Sequence, residues 1–185
     1  IKQTTDSLST GADIFGNTSI TTSHQANEYS TFQAQGPYAI KGTFWGVVNV
    51  KEFTQVTKGI DIFGSSYETN VAKVTWLYVN GRPFQKESIS VNNSINLFGE
   101  QVTTTTTTTN EYSWYENPET NKKSFLLIKQ TTDSLSTGAD IFGNTSITTS
   151  HQVNNYGTFQ ATGPYARPGT FWGVVNVKEF TQVTK

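Results

Sequence analysis

The chain repeats itself: residues 1–58 recur as residues 128–185, at an offset of 127. Only six positions differ between the two segments, so the copies are about 90% identical. Nearly equal sequences have nearly equal local preferences, and we expect both copies to adopt the same conformation. This predicts a first copy at 1–58, an intervening divergent repeat at 59–127 and a second copy at 128–185, all within one continuous β structure. We expect the chain to be an excerpt of a longer tandem array.

A shorter motif recurs within this long repeat. Asp or Asn, then Ile or Leu, then Phe-Gly occurs four times, at residues 13–16, 61–64, 96–99 and 140–143. Glycine permits a bend that other residues resist, and an aromatic ring is a strong core anchor. The motif therefore predicts four equivalent chain bends, each of which buries its ring: Phe15, Phe63, Phe98 and Phe142.

The composition indicates an all-β fold. The chain has 31 Thr, 14 Val and 11 Ile, so about 30% of its residues are β-branched, against 8 Ala, 6 Leu and no Met. β-branched side chains lose rotamer freedom on a helix and pack well on a pleated sheet. Turn signals such as Asn80-Gly81, which suits a tight hairpin, separate the polar alternating segments. We therefore expect antiparallel meander modules.

Modules of three or four strands do not bury both of their faces alone. We therefore expect the modules to close together into a propeller-like or barrel-like structure, and a β-sandwich repeated in tandem is the alternative. The seven consecutive threonines, Thr103–Thr109, are expected on a polar edge or surface of the sheet, because both faces of such a strand carry hydroxyls.

Charge and cysteine content exclude several classes of function. The net charge is −1, with 13 basic and 14 acidic residues and no basic run, which argues against nucleic acid as a partner. No segment approaches the roughly 20 apolar residues of a membrane-spanning helix. Because the chain has no Cys, disulfides, thiol catalysis and Cys-ligated zinc are excluded.

Histidine and aspartate offer few catalytic or metal sites. His24 and His151 are the same position in the two copies, and neither has a carboxylate within three residues along the chain. We expect both on a strand surface, outside any metal or catalytic site. Aspartates typically cap turns by accepting backbone N–H bonds, and we expect that role rather than calcium binding for five of them: Asp6, Asp13, Asp61, Asp133 and Asp140. Without a nucleophile-elbow sequence, we expect no enzymatic activity and no cofactor.

The aromatic residues are the best functional lead in the sequence. Tryptophan and tyrosine stack on sugars and anchor protein interfaces. Phe44-Trp45 and Phe171-Trp172 are adjacent in strands, so one ring of each pair should point away from the core. We predict ligand contacts from four tryptophans and from two tyrosines in Gly-Pro-Tyr turns: Trp45, Trp76, Trp114, Trp172, Tyr38 and Tyr165.

These observations predict a non-catalytic, exported protein, extracellular or at the cell surface, since the chain is rich in Thr, Ser and Asn and lacks Cys and Met. Our first hypothesis is that repeated shallow aromatic sites bind cell-surface or matrix ligands, carbohydrate or protein, and gain strength from multivalency. The alternative is a self-associating structural protein, such as a fibre, array or surface-layer subunit, that pairs through exposed strand edges.

Overall fold

The computed structural model describes residues 1–36, 39–117, 120–160 and 170–185. Nine antiparallel strands follow one another in a single sheet, in chain order, and no helix occurs within these ranges. The strands are β1 Lys2–Ala12, β2 Thr18–Gln33, β3 Thr43–Ile60, β4 Ser66–Val79, β5 Arg82–Ile95, β6 Gln101–Glu116, β7 Lys123–Ala139, β8 Thr145–Gln160 and β9 Thr170–Thr184. The predicted all-β meander is confirmed.

The sheet does not close on itself. β1 and β9 lie at its two edges, and β1 does not pair with β9 within the described part of the chain. The expected propeller-like or barrel-like closure is therefore not supported, and the described strands form one layer rather than the two layers of a sandwich. The expectation rested on burying both faces, whereas only four apolar residues of the described chain are buried: Ala26, Val47, Val79 and Val153.

The two repeat copies have the same strands and the same register. β1–β2 pairing joins Asp6 to His24, and β7–β8 pairing joins Asp133 to His151, which are the same positions at an offset of 127. The register shifts in β2–β3 recur at equivalent places in β8–β9. The two nearly identical segments therefore adopt the same strand pairing. Any difference in burial between equivalent residues must come from the strands and arms beside them.

Every strand except β1, which lies wholly in the first of them, contributes to two regions. Near the turns that follow the odd-numbered strands β1, β3, β5 and β7, all nine strands pair into what we call the shared sheet. Farther along, pairing continues only within β2–β3, β4–β5, β6–β7 and β8–β9, because β3–β4 pairing ends at Val56↔Asn70 and β5–β6 pairing ends at Glu87↔Thr109. These four hairpin extensions are arms 1 to 4, whose described residues are 29–36 with 39–55, 71–86, 110–117 with 120–128, and 156–160 with 170–182.

Successive arms pack against one another through aromatic rings and backbone contacts. Phe53 of arm 1 meets Trp76 of arm 2 edge-on at 5.7 Å between ring centroids. Phe84 of arm 2 lies 5.1 Å from Phe125 of arm 3, and Tyr115 of arm 3 lies 4.8 Å from Trp172 of arm 4. The core of the molecule is therefore distributed between the arms rather than beneath the sheet.

The first two arms approach most closely at a pair of glycines. The Val47 amide donates a 2.9 Å hydrogen bond to the Gly81 carbonyl, and a Cβ added to Gly46 would lie 2.6 Å from the Gly81 Cα. Tyr78 reinforces the contact, because its oxygen accepts a 2.7 Å bond from the Val50 amide. Gly81, at φ 73°, belongs to the predicted Asn-Gly hairpin turn. The absence of side chains at this contact allows the two backbones to meet.

The threonine run lies in the centre of the sheet rather than at an edge. Thr103–Thr109 belongs to β6, which pairs with β5 on one side and with β7 on the other. Side chains alternate between the two faces of a strand, so the run supplies hydroxyls to both. Its register is fixed from outside the run, by the turn that joins β5 to β6 and by the long β6–β7 pairing.

Candidate functional site

The four Phe-Gly motifs form four nearly identical five-residue turns along one edge of the shared sheet. In each, the side-chain oxygen of the first residue accepts hydrogen bonds from the third and fifth backbone amides, at 2.9 and 3.1 Å for Asp13. The glycine has a positive φ, between 83° and 90° in the four turns. This geometry requires Asp or Asn first and favours glycine fourth, which explains the motif.

The turn-capping role predicted for aspartate is confirmed at three positions: Asp13, Asp61 and Asp140. A hydrogen bond from the Asn17 side chain is the main cause of the lowered pKa of Asp13, and Asn144 has the same effect on the pKa of Asp140. Asp6 and Asp133 play a different part, described below. Among the described residues, no group of three or more His, Cys, Asp or Glu could hold a metal ion.

The prediction that the four rings are buried is wrong. Phe63 is 66% exposed and Phe142 is 84% exposed, and Phe15 and Phe98 lie between these values. The preceding aliphatic residue of each turn is exposed as well, so eight large apolar side chains project along this edge. The motif recurs because its first and fourth residues build the turn. The capping interactions therefore do not require the ring to be in a core.

Replacing Phe63 or Phe98 with alanine should reduce the free energy of unfolding by less than about 1 kcal/mol, because an exposed ring loses little transfer energy and leaves no cavity. Urea unfolding of the two variants measures the effect. Gly64→Val in the same turn is the contrasting change, since φ of 90° strains a β-branched residue, and it should destabilise more than either. A loss of several kcal/mol in the Phe variants would show that the rings are packed.

A groove of about 620 Å³ lies beside these turns. Its walls are mainly apolar and hydroxylated, with Ala12 and Ile60 from the first two hairpins and Ile95 from the third. Three carboxylates also belong to its lining: Asp13, Asp61 and Glu100. We call the four turns, their exposed side chains and this groove the turn edge.

The predicted tryptophan sites have different environments in the two copies. Trp45 is 57% exposed, whereas the equivalent Trp172 packs on Tyr115 and donates a 3.0 Å hydrogen bond from Nε1 to the Leu127 carbonyl. The difference arises because arm 3 precedes arm 4, while no described arm precedes arm 1. Trp45 therefore exposes a surface that, at the equivalent Trp172, is in contact with arm 3.

The other predicted aromatic positions do not converge on one site. Trp76 packs against Phe53 between arms 1 and 2, and Trp114 lies 5.2 Å from Phe125 within arm 3. Tyr38 and Tyr165 lie outside the described residues. The structure therefore places the described tryptophans in or beside contacts between arms, and their role as ligand contacts stays a prediction.

Each histidine lies between carboxylates from the two neighbouring strands. His24 Nδ1 is 2.6 Å from Asp6 and Nε2 is 3.3 Å from Glu52, while His151 Nδ1 is 2.5 Å from Asp133 and Nε2 is 3.4 Å from Glu179. The sequence reasoning missed these clusters because it considered neighbours along the chain. The signal was available: with the turn centred on Phe15, antiparallel pairing places Asp6 opposite His24.

The clusters predict a pH dependence of stability. The hydrogen bond that His24 donates to the Asp6 carboxylate raises the pKa of His24 above its ordinary value of 6.5, with a smaller contribution from Glu52, and Asp133 acts likewise on His151. A raised folded-state pKa stabilises the fold below the unfolded value, and that stability disappears as the pH rises through the folded value. Lys2, followed by His24, lowers the pKa of Glu52, so the contribution of Glu52 is instead lost in acid.

We therefore expect the free energy of unfolding to fall as the pH rises above the ordinary histidine pKa of 6.5. Replacing both histidines with glutamine should flatten this part of the profile, while the acid limb keeps the larger contribution that Lys2 makes to the lowered pKa of Glu52. Urea unfolding at a series of pH values tests the expectation. A double variant with an unchanged slope between neutral and mildly acidic pH would show that these clusters are not its source.

The two faces of the shared sheet differ completely in charge. Cross-strand partners lie on the same face of a sheet, and successive residues of a strand lie on opposite faces. The register therefore assigns every side chain to one of the two faces. Within the described shared sheet, all charged and histidine residues lie on one face, the charged face: Lys2, Asp6, His24, Glu28, Lys58, Glu68, Glu87, Lys129, Asp133 and His151. The opposite face, which we call the uncharged face, carries mainly Ser, Thr, Asn, Gln and Gly.

Hydrogen bonds across neighbouring strands order the side chains of the uncharged face. Ser7 pairs with Ser23 at 2.7 Å, and the equivalent pair Ser134 and Ser150 is 2.6 Å apart. Four further bonds join Thr21 to Thr57, Thr69 to Asn92, Thr104 to Ser136 and Thr148 to Thr184. The face is therefore an ordered array of hydroxyl and amide groups.

No family model, curated protein or solved structure matches the chain. In the part of the chain that the structure describes, no helix is long and apolar enough to cross a membrane.

Proposed function

We propose that the chain is a non-catalytic structural segment of a self-associating β-sheet array. One observation carries the proposal: a surface that a neighbouring arm covers in one repeat copy is exposed in the other copy. Val47 is 8% exposed beneath arm 2, whereas its equivalent Val174 is 49% exposed on arm 4. Trp172 is packed, whereas Trp45 is exposed. Each end of the sheet thus presents a surface that the same fold covers elsewhere.

The architecture supports the same proposal. Domains usually pack two layers of secondary structure around a core, and the described chain supplies one layer with few buried apolar side chains. Repeat proteins gain stability from contacts between neighbouring units, so a sheet of this kind benefits from each added unit. Charged side chains on one face and hydroxyl and amide side chains on the other keep the shared sheet compatible with water while its ends join neighbours.

Extending the full chain tests the array. Residues 59–185 appended after Lys185 would supply the arm that covers Val174 and Phe180, as arm 2 covers Val47 and Phe53. We expect one cooperative unfolding transition at a higher denaturant concentration than that of the original chain. An extended protein in which the added unit unfolds independently, with no gain for the rest, would contradict the repeat-array proposal.

Association between separate molecules is tested by sedimentation velocity of the original chain at increasing concentration. We expect progressive growth to large species. Val174→Asp with Phe180→Asp should reduce this growth, because charge is placed on the uncovered side of arm 4. Ser146→Asp adds a charge at an exposed position away from the arms and should leave the growth unchanged. A chain that stays monomeric throughout would argue against self-association.

Binding of neutral carbohydrate is a second candidate, and the uncharged face favours it. A flat, ordered array of hydroxyl and amide groups without charge suits an uncharged, hydroxyl-rich surface, and repetition of weak contacts gives avidity. Sedimentation with insoluble neutral polysaccharides tests the idea. Thr21→Lys with Thr148→Lys should abolish retention, whereas Thr22→Lys with Thr149→Lys, on the charged face, should preserve it. Equal retention of both variants would exclude this face as the site.

A further inference from the structure

We propose that the charged face of the shared sheet packs against the charged face of a second copy of this chain, so that two sheets form a two-layer dimer. The pairing goes beyond the proposed array, because the contacts of the array lie at the two ends of the sheet and leave both faces uncovered. It supplies the second layer that the described chain lacks.

Aliphatic side chains form a band across the charged face, beside the turn edge. The band consists of three transverse rows of register partners. The row next to the turns contains Ile60 and Ile95, and the second row contains Ile20 and Ile147. The third row contains the other members: Leu8, Val56, Val91, Leu135 and Val183. Seven of these nine side chains are between 46% and 69% exposed, although an aliphatic sheet face is normally the packed one.

The third row has a period that a second copy can match. Its aliphatic residues lie on the odd-numbered strands, and the even-numbered strands contribute short polar residues: Thr22, Asn70, Thr105 and Thr149. Packed sheets interdigitate their side chains at a separation of about 10 Å. A two-fold axis that runs parallel to the strands, midway between two neighbours, places each aliphatic residue of the overlap opposite Thr or Asn. The two rows therefore interlock.

The histidine clusters select one such axis. Axes between β4 and β5 and between β5 and β6 each cover eight strands of either copy. The axis between β4 and β5 places β1 opposite β8 of the second copy, and β2 opposite its β7. In the row beyond the band, Asp6 then faces the second copy's His151, and His24 faces its Asp133. Each carboxylate thus meets an imidazole, and such complementarity favours this register.

The ion pair within the band fits the same axis. Lys58 and Glu68 are 2.8 Å apart in the second row, and they come to lie opposite Thr103 and Asn93 of the second copy. Both charges therefore meet polar groups. The axis between β5 and β6 would place Lys58 opposite Ile147 instead, where burial of the cation is unfavourable.

The overlap is large enough for a stable dimer. Strands lie about 4.8 Å apart, and residues on one face recur about every 6.8 Å along a strand, so eight strands and three rows cover about 800 Å² on each copy. A typical stable interface buries about 800 Å² on each partner. The aliphatic band alone therefore provides an interface of ordinary size.

Thiol labelling tests which face is covered, because the chain has no cysteine of its own. Thr105→Cys lies in the third row of the band, and Thr106→Cys lies beside it on the uncharged face. Both positions are half-buried in the single chain. We expect maleimide labelling of Thr105→Cys to slow by about tenfold when about 90% of the chains are paired, whereas labelling of Thr106→Cys should not change with protein concentration.

Substitution of Thr103 tests the axis. Thr103→Glu places a carboxylate opposite the second copy's Lys58, and Thr103→Lys places a cation there, while both remove the same hydrogen bond from Thr103 to Asn93. Val174→Asp with Phe180→Asp is included in both chains to suppress growth through arm 4, since β9 lies outside the overlap. By sedimentation equilibrium, we expect the dimer dissociation constant of the Thr103→Glu chain to be about tenfold below that of the Thr103→Lys chain.

The outcomes separate this inference from the proposed function. If the unmodified chain forms large species while Thr105→Cys labels at a constant rate, face-to-face pairing is wrong and the array stands. If labelling of Thr105→Cys slows while the unmodified chain grows no further than a dimer, the pairing stands and the array is wrong. Slow labelling of Thr106→Cys, or of Thr105→Cys at every concentration, would overturn the pairing. Equal dissociation constants for the two Thr103 variants would contradict the axis between β4 and β5.

Discussion

Replacing Gly46 with alanine should reduce the free energy of unfolding by about 3 kcal/mol, near the upper end of the cost of overpacking a closed contact. The new Cβ would lie 2.6 Å from the Gly81 Cα and 2.9 Å from the Gly81 carbonyl oxygen. A backbone cannot rotate away as a side chain can, so arm 1 must move off arm 2. That movement breaks the hydrogen bond from Val47 to Gly81. Urea unfolding followed by tryptophan fluorescence reports it, since Trp76 packs on Phe53 between arms 1 and 2.

The second repeat copy provides the control for this change. Gly173 is the equivalent of Gly46, but a Cβ there would meet the Phe159 ring at 2.8 Å and no backbone atom within 4 Å among its three nearest contacts. The ring can turn aside, so Gly173→Ala should destabilise by less than about 1 kcal/mol. Equal effects of the two substitutions would mean that arms 1 and 2 do not meet at these glycines.

Replacing Trp172 with alanine should reduce the free energy of unfolding by about 3 kcal/mol, the low end for a large aromatic residue, because this ring is only partly buried. The change removes the packing on Tyr115 and leaves the Leu127 carbonyl without its indole donor. Arm 4 should then separate from arm 3. Calorimetric or urea unfolding measures the loss.

Trp45→Ala is the matched variant, with the same residue in the same local sequence. Because Trp45 is 57% exposed, its removal should change stability by less than about 1 kcal/mol. In the extended chain, the equivalent ring of each added unit should behave like Trp172. Similar losses from Trp45 and Trp172 in the original chain would contradict the interpretation that arm 3 makes the difference.

Part of the candidate site was readable from the sequence. The Phe-Gly motif predicted the four turns, and the short range of their hydrogen bonds explains why: the capping oxygen of Asp13 binds amides two and four residues away. The exposure of the rings was not readable, since whether Phe63 is buried depends on which other elements cover the turn. A recurring motif shows that a local geometry is kept without showing which of its residues contacts a distant partner.

The sequence by itself determined the strands, the turns and the equivalence of the two copies, because β-branching, glycine and capping aspartate act within a few residues. The hairpin register followed from the turns as well, and with it the pairing of Asp6 with His24. Only the tertiary structure decided that the sheet stays open, that one face is free of charge, and that Trp45 and Trp172 differ. These properties depend on which strands and arms are neighbours, and identical segments with different neighbours bury different surfaces.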